Sequence, residues 1–161
     1  MGTPVDTVMA LQRAESFTRR SIKTESKLQG LRLALSMIDL TTLEGKDSPE
    51  KVRSLCRKAI RPWEGEIDPP LPSVAAVCVY PSLVNIAHRA LEGSGVAIAS
   101  VATGFPSGQY PLEIRLSDVA QAVNAGADEI DMVINRGDFL AGRYQVVADE
   151  IRAVRDACGQ A

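Results

Sequence analysis

The sequence predicts an α/β fold built on a parallel sheet. From residue 33 onward, short apolar runs alternate four times with longer amphipathic stretches. The runs, such as "SVAAVCVY" at 73–80, are apolar on both faces. That is the pattern of parallel strands covered by helices. Each run also turns polar at its carboxyl end: Asp39 and Thr41, Cys78 and Tyr80, Thr103, then Asp131 and Asn135. Chemistry in parallel α/β proteins gathers at that end of the strands.

The elements follow in order. Residues 1–32 are polar, and Val8, Leu11 and Phe17 give a weak apolar stripe, so they are expected to form a helical extension. Residues 33–161 carry the alternating pattern. "LALSMID" (33–39) reads as the first strand. In "DSPEKVRSLCRKAI" Ser48 is placed to cap a helix and Pro49 suits its first turn. Val52, Leu55, Cys56, Ala59 and Ile60 fall on one face of that helix. A Pro-rich connection (61–72) leads to the second strand (73–80). A helix then runs from Ser82 to Gly93. "VAIASVAT" (96–103) is the third strand, followed by the loop "GFPSG", which reads equally as a plain turn or a substrate loop. The next helix gathers Leu112, Leu116, Val119, Ala120 and Val123 and ends at Gly126. The strand in "GADEIDMVIN" follows. A last helix aligns Val147, Ile151, Val154 and Cys158.

Four strand–helix units suit either an open doubly wound sheet or part of a (β/α) barrel. An open dinucleotide-binding sheet calls for GxGxxG after its first strand. This chain has "DLTTLEG" there, which weakens that reading. A complete barrel needs about 250 residues, more than the 161 present.

Composition narrows the function. Charged residues are 24% of the chain and the net charge is −2, with no basic stripe of the kind nucleic acid requires. No apolar run reaches the roughly 18 residues of a membrane span, and no secretion or transit signal is evident. "MGTPVD" resembles an acylation start at Gly2, but position 6 is Asp6 rather than Ser or Thr. Three widely spaced cysteines without CxxC fit reduced thiols and a cytoplasmic location. His88 is the single histidine, so no multi-histidine metal site is available. Its helical neighbours Asn85, Arg89 and Glu92 place it on the surface.

Asp131 is the sharpest candidate. It lies among Ile130, Met132, Val133 and Ile134, and an ionised carboxylate in apolar surroundings costs several kcal/mol unless paired. Strand alternation turns Asp131, Val133 and Asn135 away from the face of Ile130 and Met132. Asp131 is then expected to point inward toward a barrel mouth, although a strand aspartate that only bonds a neighbouring loop is a live alternative. Asp39 reads equally as a turn former. Cys78 reads first as a small core hydrophobe. Asp128 and Glu129 read as solvated loop charges.

"IDLTTL" (38–43), "AAVCVYPSLV" (75–84), "IASVATGFPSGQ" (98–109) and "GADEIDMVIN" (126–135) resemble, in order and approximate spacing, the motifs of the deoxyribose-phosphate aldolases, nearer to the animal form than to the short bacterial one. The resemblance implies a (β/α)8 TIM barrel, of which these are the first four units. It implies a lyase that uses no metal or other cofactor and cleaves 2-deoxy-D-ribose 5-phosphate, a small sugar phosphate, to glyceraldehyde 3-phosphate and acetaldehyde. A lysine on the sixth strand forms the Schiff base, and a second on the seventh lowers its pKa by like-charge repulsion. By motif, Asp131 is the catalytic carboxylate that moves protons beside them, buried because those amines are buried. Asp39, Thr41 and Cys78 resemble pocket-lining, substrate-binding positions.

The same resemblance implies a truncated barrel, since no "KTSTG"-like or "GFKPAGG"-like strand is present. The five lysines are poor substitutes. Lys23 and Lys27 lie in the extension; Lys51 and Lys58 lie on the first barrel helix, away from the mouth. Lys46 sits between Glu44 and Asp47, which favour its charged form. Carbinolamine formation needs a neutral amine, and at an ordinary lysine pKa of about 10.4 fewer than about one in a thousand is neutral at pH 7. The chain alone is therefore expected to be inactive. Its open edges favour self-association, which makes a non-catalytic half-barrel interaction module the alternative.

Overall fold

The computed structural model describes residues 5–159, so the acylation reading of Gly2 lies outside the described residues. The chain separates into two compact units, one ending at Leu33 and one beginning at Ala34. In the first, helix α1 (Thr7–Thr18) is capped by Asp6, whose carboxylate accepts from the Met9 amide at 3.0 Å. Val8, Leu11 and Phe17 are all exposed. Helix α2 spans Thr24–Ser36, and its last turn belongs to the second unit.

That last turn corrects the first expected strand. Leu33–Ser36 are helical, and β1 is only Asp39–Thr41. Leu, Ala and Met favour helix, and the run before Ile38 has no β-branched residue to oppose it. Helix α3 (Pro49–Ile60) follows, with the Ser48 hydroxyl accepting from the Lys51 amide. Then come β2 (Ala76–Val79), α4 (Pro81–Leu91), β3 (Ala97–Ala102), α5 (Leu112–Asn124) and β4 (Glu129–Met132). A short helix the sequence did not announce, α6 (Arg136–Leu140), precedes α7 (Tyr144–Cys158).

The four strands form one parallel sheet in the order β1-β2-β3-β4. The strand side chains alternate between two unlike faces. Val77, Val79 and Ile98 pack with Val52, Cys56 and Ala59 of α3 and with Val84, Ala87 and Leu91 of α4. Each fully buried valine there contributes about 1.5–3 kcal/mol. Ala102, Met132 and Ile130 continue this layer against Val119, Val154 and Cys158 of α5 and α7. The opposite face is thinner. Ala76, Cys78, Ala99 and Val101 form a small cluster edged by Leu43, Tyr80 and Phe105. Within residues 34–159 no helix residue belongs to that cluster.

The buried helix faces differ in part from the expected stripes. Leu112 and Ala120 are exposed, while α5 buries Arg115, Val119 and Ala122. On α7 the buried set is Val147, Glu150, Val154 and Cys158, and Ile151 is exposed; Ile60 of α3 is exposed too. Two charged residues, Arg115 and Glu150, are thus buried alongside the apolar ones. No helix of the described residues is long and apolar enough to cross a membrane.

Candidate functional site

The thin face gathers the candidate residues. Strand register sets Asp39 beside Ala76 and Thr41 beside Cys78, and sets Val101 beside Asp131. The Cys78 thiol donates to Asp131 Oδ2 at 3.4 Å. These residues stand two strands apart, so the contact passes over β3, where Ala99 offers only a methyl group. A long side chain at 99 would stand between them. Thr41 Oγ1 donates to the Asp39 carbonyl at 2.9 Å, which ties the end of β1 to itself.

Orientation and burial of Asp131 part company. It lies on the face away from the helices, as alternation implies, with Ile130 and Met132 packed on the helix side. It is nevertheless exposed, which corrects the expectation of a buried carboxylate. The physical reason is its place on an edge strand: at the centre of the same face Ala76, Cys78, Ala99 and Val101 are at most 3% exposed. Asp39 and Thr41 are exposed for the same reason. Cys78 is buried at 2% exposure. Burial, then the Asp131 hydrogen bond and charge, push its thiol up to about 12. It stays protonated at neutral pH and acts as a donor, not a nucleophile.

The turn after β1 explains the nearby lysines. Asp47 accepts from Thr42 Oγ1 and from the Glu44 amide, each at 2.9 Å, and from Lys51 Nζ at 2.6 Å. The Lys51 bond, first among several, holds the Asp47 carboxyl below the usual range. The Asp47 hydrogen bond in turn raises Lys51. Lys51 was expected away from the mouth. It lies in the first turn of α3, on the mouth side, and its ammonium reaches back to Asp47 and to Glu44. Lys46 pairs with Glu44 at 3.3 Å and is otherwise in solvent.

The loop after β3 is bound to the end of β4. Thr103 is fully buried with φ +65°, a strained conformation for a β-branched residue. Its Oγ1 accepts from the Val133 amide at 2.7 Å. Gly108 (φ +67°) passes so close that an added Cβ would lie 2.7 Å from Val133 Cγ1 and 2.9 Å from the Ile134 carbonyl. The second glycine of "GFPSG" is therefore dictated by the segment that follows β4. Asp128 is exposed but not idle, since Oδ2 accepts from the Ile98 amide at 2.9 Å. Asn135 caps α6 by accepting from the Asp138 amide at 3.1 Å. His88 is exposed, its ring beside Gly126. Sequence reasoning missed Arg115 and Glu150 altogether; the one available signal was a charged residue on each helix at core spacing. No cluster of metal-ligating side chains occurs among the described residues.

Comparison with known proteins places this arrangement. Residues 33–161 match the family model described as DeoC/LacD family aldolase. The deoxyribose-phosphate aldolase of Homo sapiens is 44% identical over 160 residues, covering 94% of this chain and 50% of the relative. That of Mus musculus is 43% identical, covering 98% and 52%. Among solved structures, a candidate deoxyribose-phosphate aldolase from Coccidioides immitis matches with a TM-score of 0.70 at 32% identity, covering 81% of this chain and 47% of the other. The tetrameric deoxyribose phosphate aldolase of Aeropyrum pernix gives 0.62 at 26%, covering 79% and 50%. The chain spans about half the length of the curated relatives it matches. Its four parallel β/α units correspond to about half of a (β/α)8 TIM barrel. The chain belongs to the DeoC/LacD family of aldolases.

Proposed function

We propose that this chain carries the proton-relay side of a Schiff-base aldolase site. The reaction is cleavage of 2-deoxy-D-ribose 5-phosphate to glyceraldehyde 3-phosphate and acetaldehyde, in the cytoplasmic breakdown of deoxyribonucleotides. Asp131 is the catalytic carboxylate, and Asp39, Thr41 and Cys78 line the sugar pocket. The observation that carries the reading is their convergence on one open face at the carboxyl ends of β1, β2 and β4, where Cys78 meets Asp131. Three free cysteines fit a reducing compartment.

The strands place no lysine on that face. The two lysines at that end are ion-paired, and the environment of Lys51 stabilises its charged form. Imine formation needs the neutral amine, so the chain alone is expected not to turn over. Incubation with deoxyribose 5-phosphate and sodium borohydride, read by intact mass, is expected to give no adduct. A reduced imine on Lys46 or Lys51 would overturn this.

A second reading, a half-barrel interaction module that pairs with itself, is favoured by one observation. Strands β1 and β4 are unpaired edges, and Phe139, Leu140, Tyr144, Val146 and Ile151 are exposed on α6 and α7. Sedimentation velocity over a concentration series is expected to show reversible self-association. A monodisperse monomer throughout would remove the module.

A further inference from the structure

Two loops at the carboxyl end of the sheet belong to different β/α units, yet one buried ion pair holds both. Arg115 on α5 and Glu150 on α7 are each 5% exposed and are paired through Nη2 and Oε1. Each sends a second bond outward to a loop. Arg115 Nε donates to the Tyr110 carbonyl at 2.8 Å, and Glu150 Oε2 accepts from the Asn135 amide at 3.0 Å. The contacts therefore run unbroken from Tyr110 through Arg115 and Glu150 to Asn135.

Stability alone accounts poorly for this pair. Desolvating two charges costs about as much as their attraction returns, and apolar residues of similar volume often do as well or better. Arg115 Nη1 adds to the cost, being buried with no partner among the described residues. What apolar residues could not supply is a directed bond to each loop backbone. The loops already meet through a strained residue, because Thr103 at φ +65° accepts from the Val133 amide. A strained junction keeps its shape only when its surroundings over-determine it.

We propose that the Arg115–Glu150 pair is a positioning device: it locks the loop after β3 (103–111) to the segment after β4 (133–136) and so fixes the end of the strand that presents Asp131. The proposal rests on the reading that Asp131 does the chemistry, and names what holds it in place.

Amide hydrogen exchange on this chain tests it, with Arg115→Lys and Glu150→Gln compared with the parent. Lysine cannot make both of arginine's bonds. Glutamine keeps the shape and an acceptor for Asn135 but removes the charge. Each single change is expected to speed exchange roughly tenfold or more, the effect of losing a charge-assisted bond, in both loops. Amides of β2 and β3, which open only with the whole sheet, should speed no more than the loss of overall stability measured by urea unfolding requires. The ¹³Cβ shift of Cys78, whose thiol touches Asp131, should move in both variants. Loosening confined to the loop that the altered residue itself bonds would overturn the proposal, as would loop amides whose exchange changes only in step with that of the sheet. Should Arg115→Lys fail to fold, the nearly isosteric Glu150→Gln carries the test. No turnover enters the readout, so a failed catalytic role for Asp131 and a failed clamp are told apart.

Discussion

Asp131→Asn, made in an eight-unit barrel assembled from residues 34–161 and the complementary half of an aldolase relative, is expected to lower turnover by about two to four orders of magnitude, the usual worth of positioned proton transfer. Asparagine keeps the shape of aspartate and an oxygen for the Cys78 thiol, but it cannot take up and return a proton. A purely structural aspartate makes a different prediction, since its loss appears in stability rather than in rate. In residues 34–161 alone the structural stake is small. Asp131 is exposed, and its hydrogen bond comes from a thiol, a weak donor. Substitution at such a site changes stability by about 0.5 kcal/mol or less. The decisive pair of measurements is kcat of the assembled barrel on deoxyribose 5-phosphate and the urea midpoint of residues 34–161 alone. A large fall in kcat with an unmoved midpoint supports the relay, whereas kcat within about threefold of the parent, far short of the general-base effect, would remove it.

The fold class was legible because burial leaves a strong mark. Runs such as "AVCV" and "AIASVA", apolar on both faces, arise only where helices cover one side and other side chains fill the other. The polar strand ends were legible for the same reason, so Asp39, Thr41, Cys78 and Asp131 could be named together before any geometry was known. The first strand's boundary was not. "LALS" is apolar enough for a strand and helical enough for a helix, and tertiary context decided for the helix. The open edges were legible too, but how far an edge position such as Asp131 is uncovered depends on the loops that close over the centre of the face, which carry no periodic signal. Arg115 and Glu150 were hidden more deeply. On a helical wheel they look like charges strayed onto an apolar face, and only their meeting across α5 and α7 shows that each is the other's reason for being buried.

Removing one member of that pair is expected to have the largest effect on stability in the molecule. Arg115→Met fills a similar volume but leaves Glu150 buried with its charge uncompensated, at a cost of about 3–5 kcal/mol. That is a large share of the roughly 5–15 kcal/mol a domain possesses. Glu150→Met, leaving the guanidinium stranded instead, is expected to cost a comparable amount. If the cost lies in the stranded charge, the double variant Arg115→Met/Glu150→Met should be far less damaging than the sum of the singles. It should still not reach the parent, because the Tyr110 carbonyl and the Asn135 amide each lose a partner at about 1–3 kcal/mol if water does not replace it. Urea unfolding of the four proteins measures this as a double-mutant cycle. A coupling energy near zero would mean the two residues act independently, and the ion pair would then have no claim to hold the two loops together.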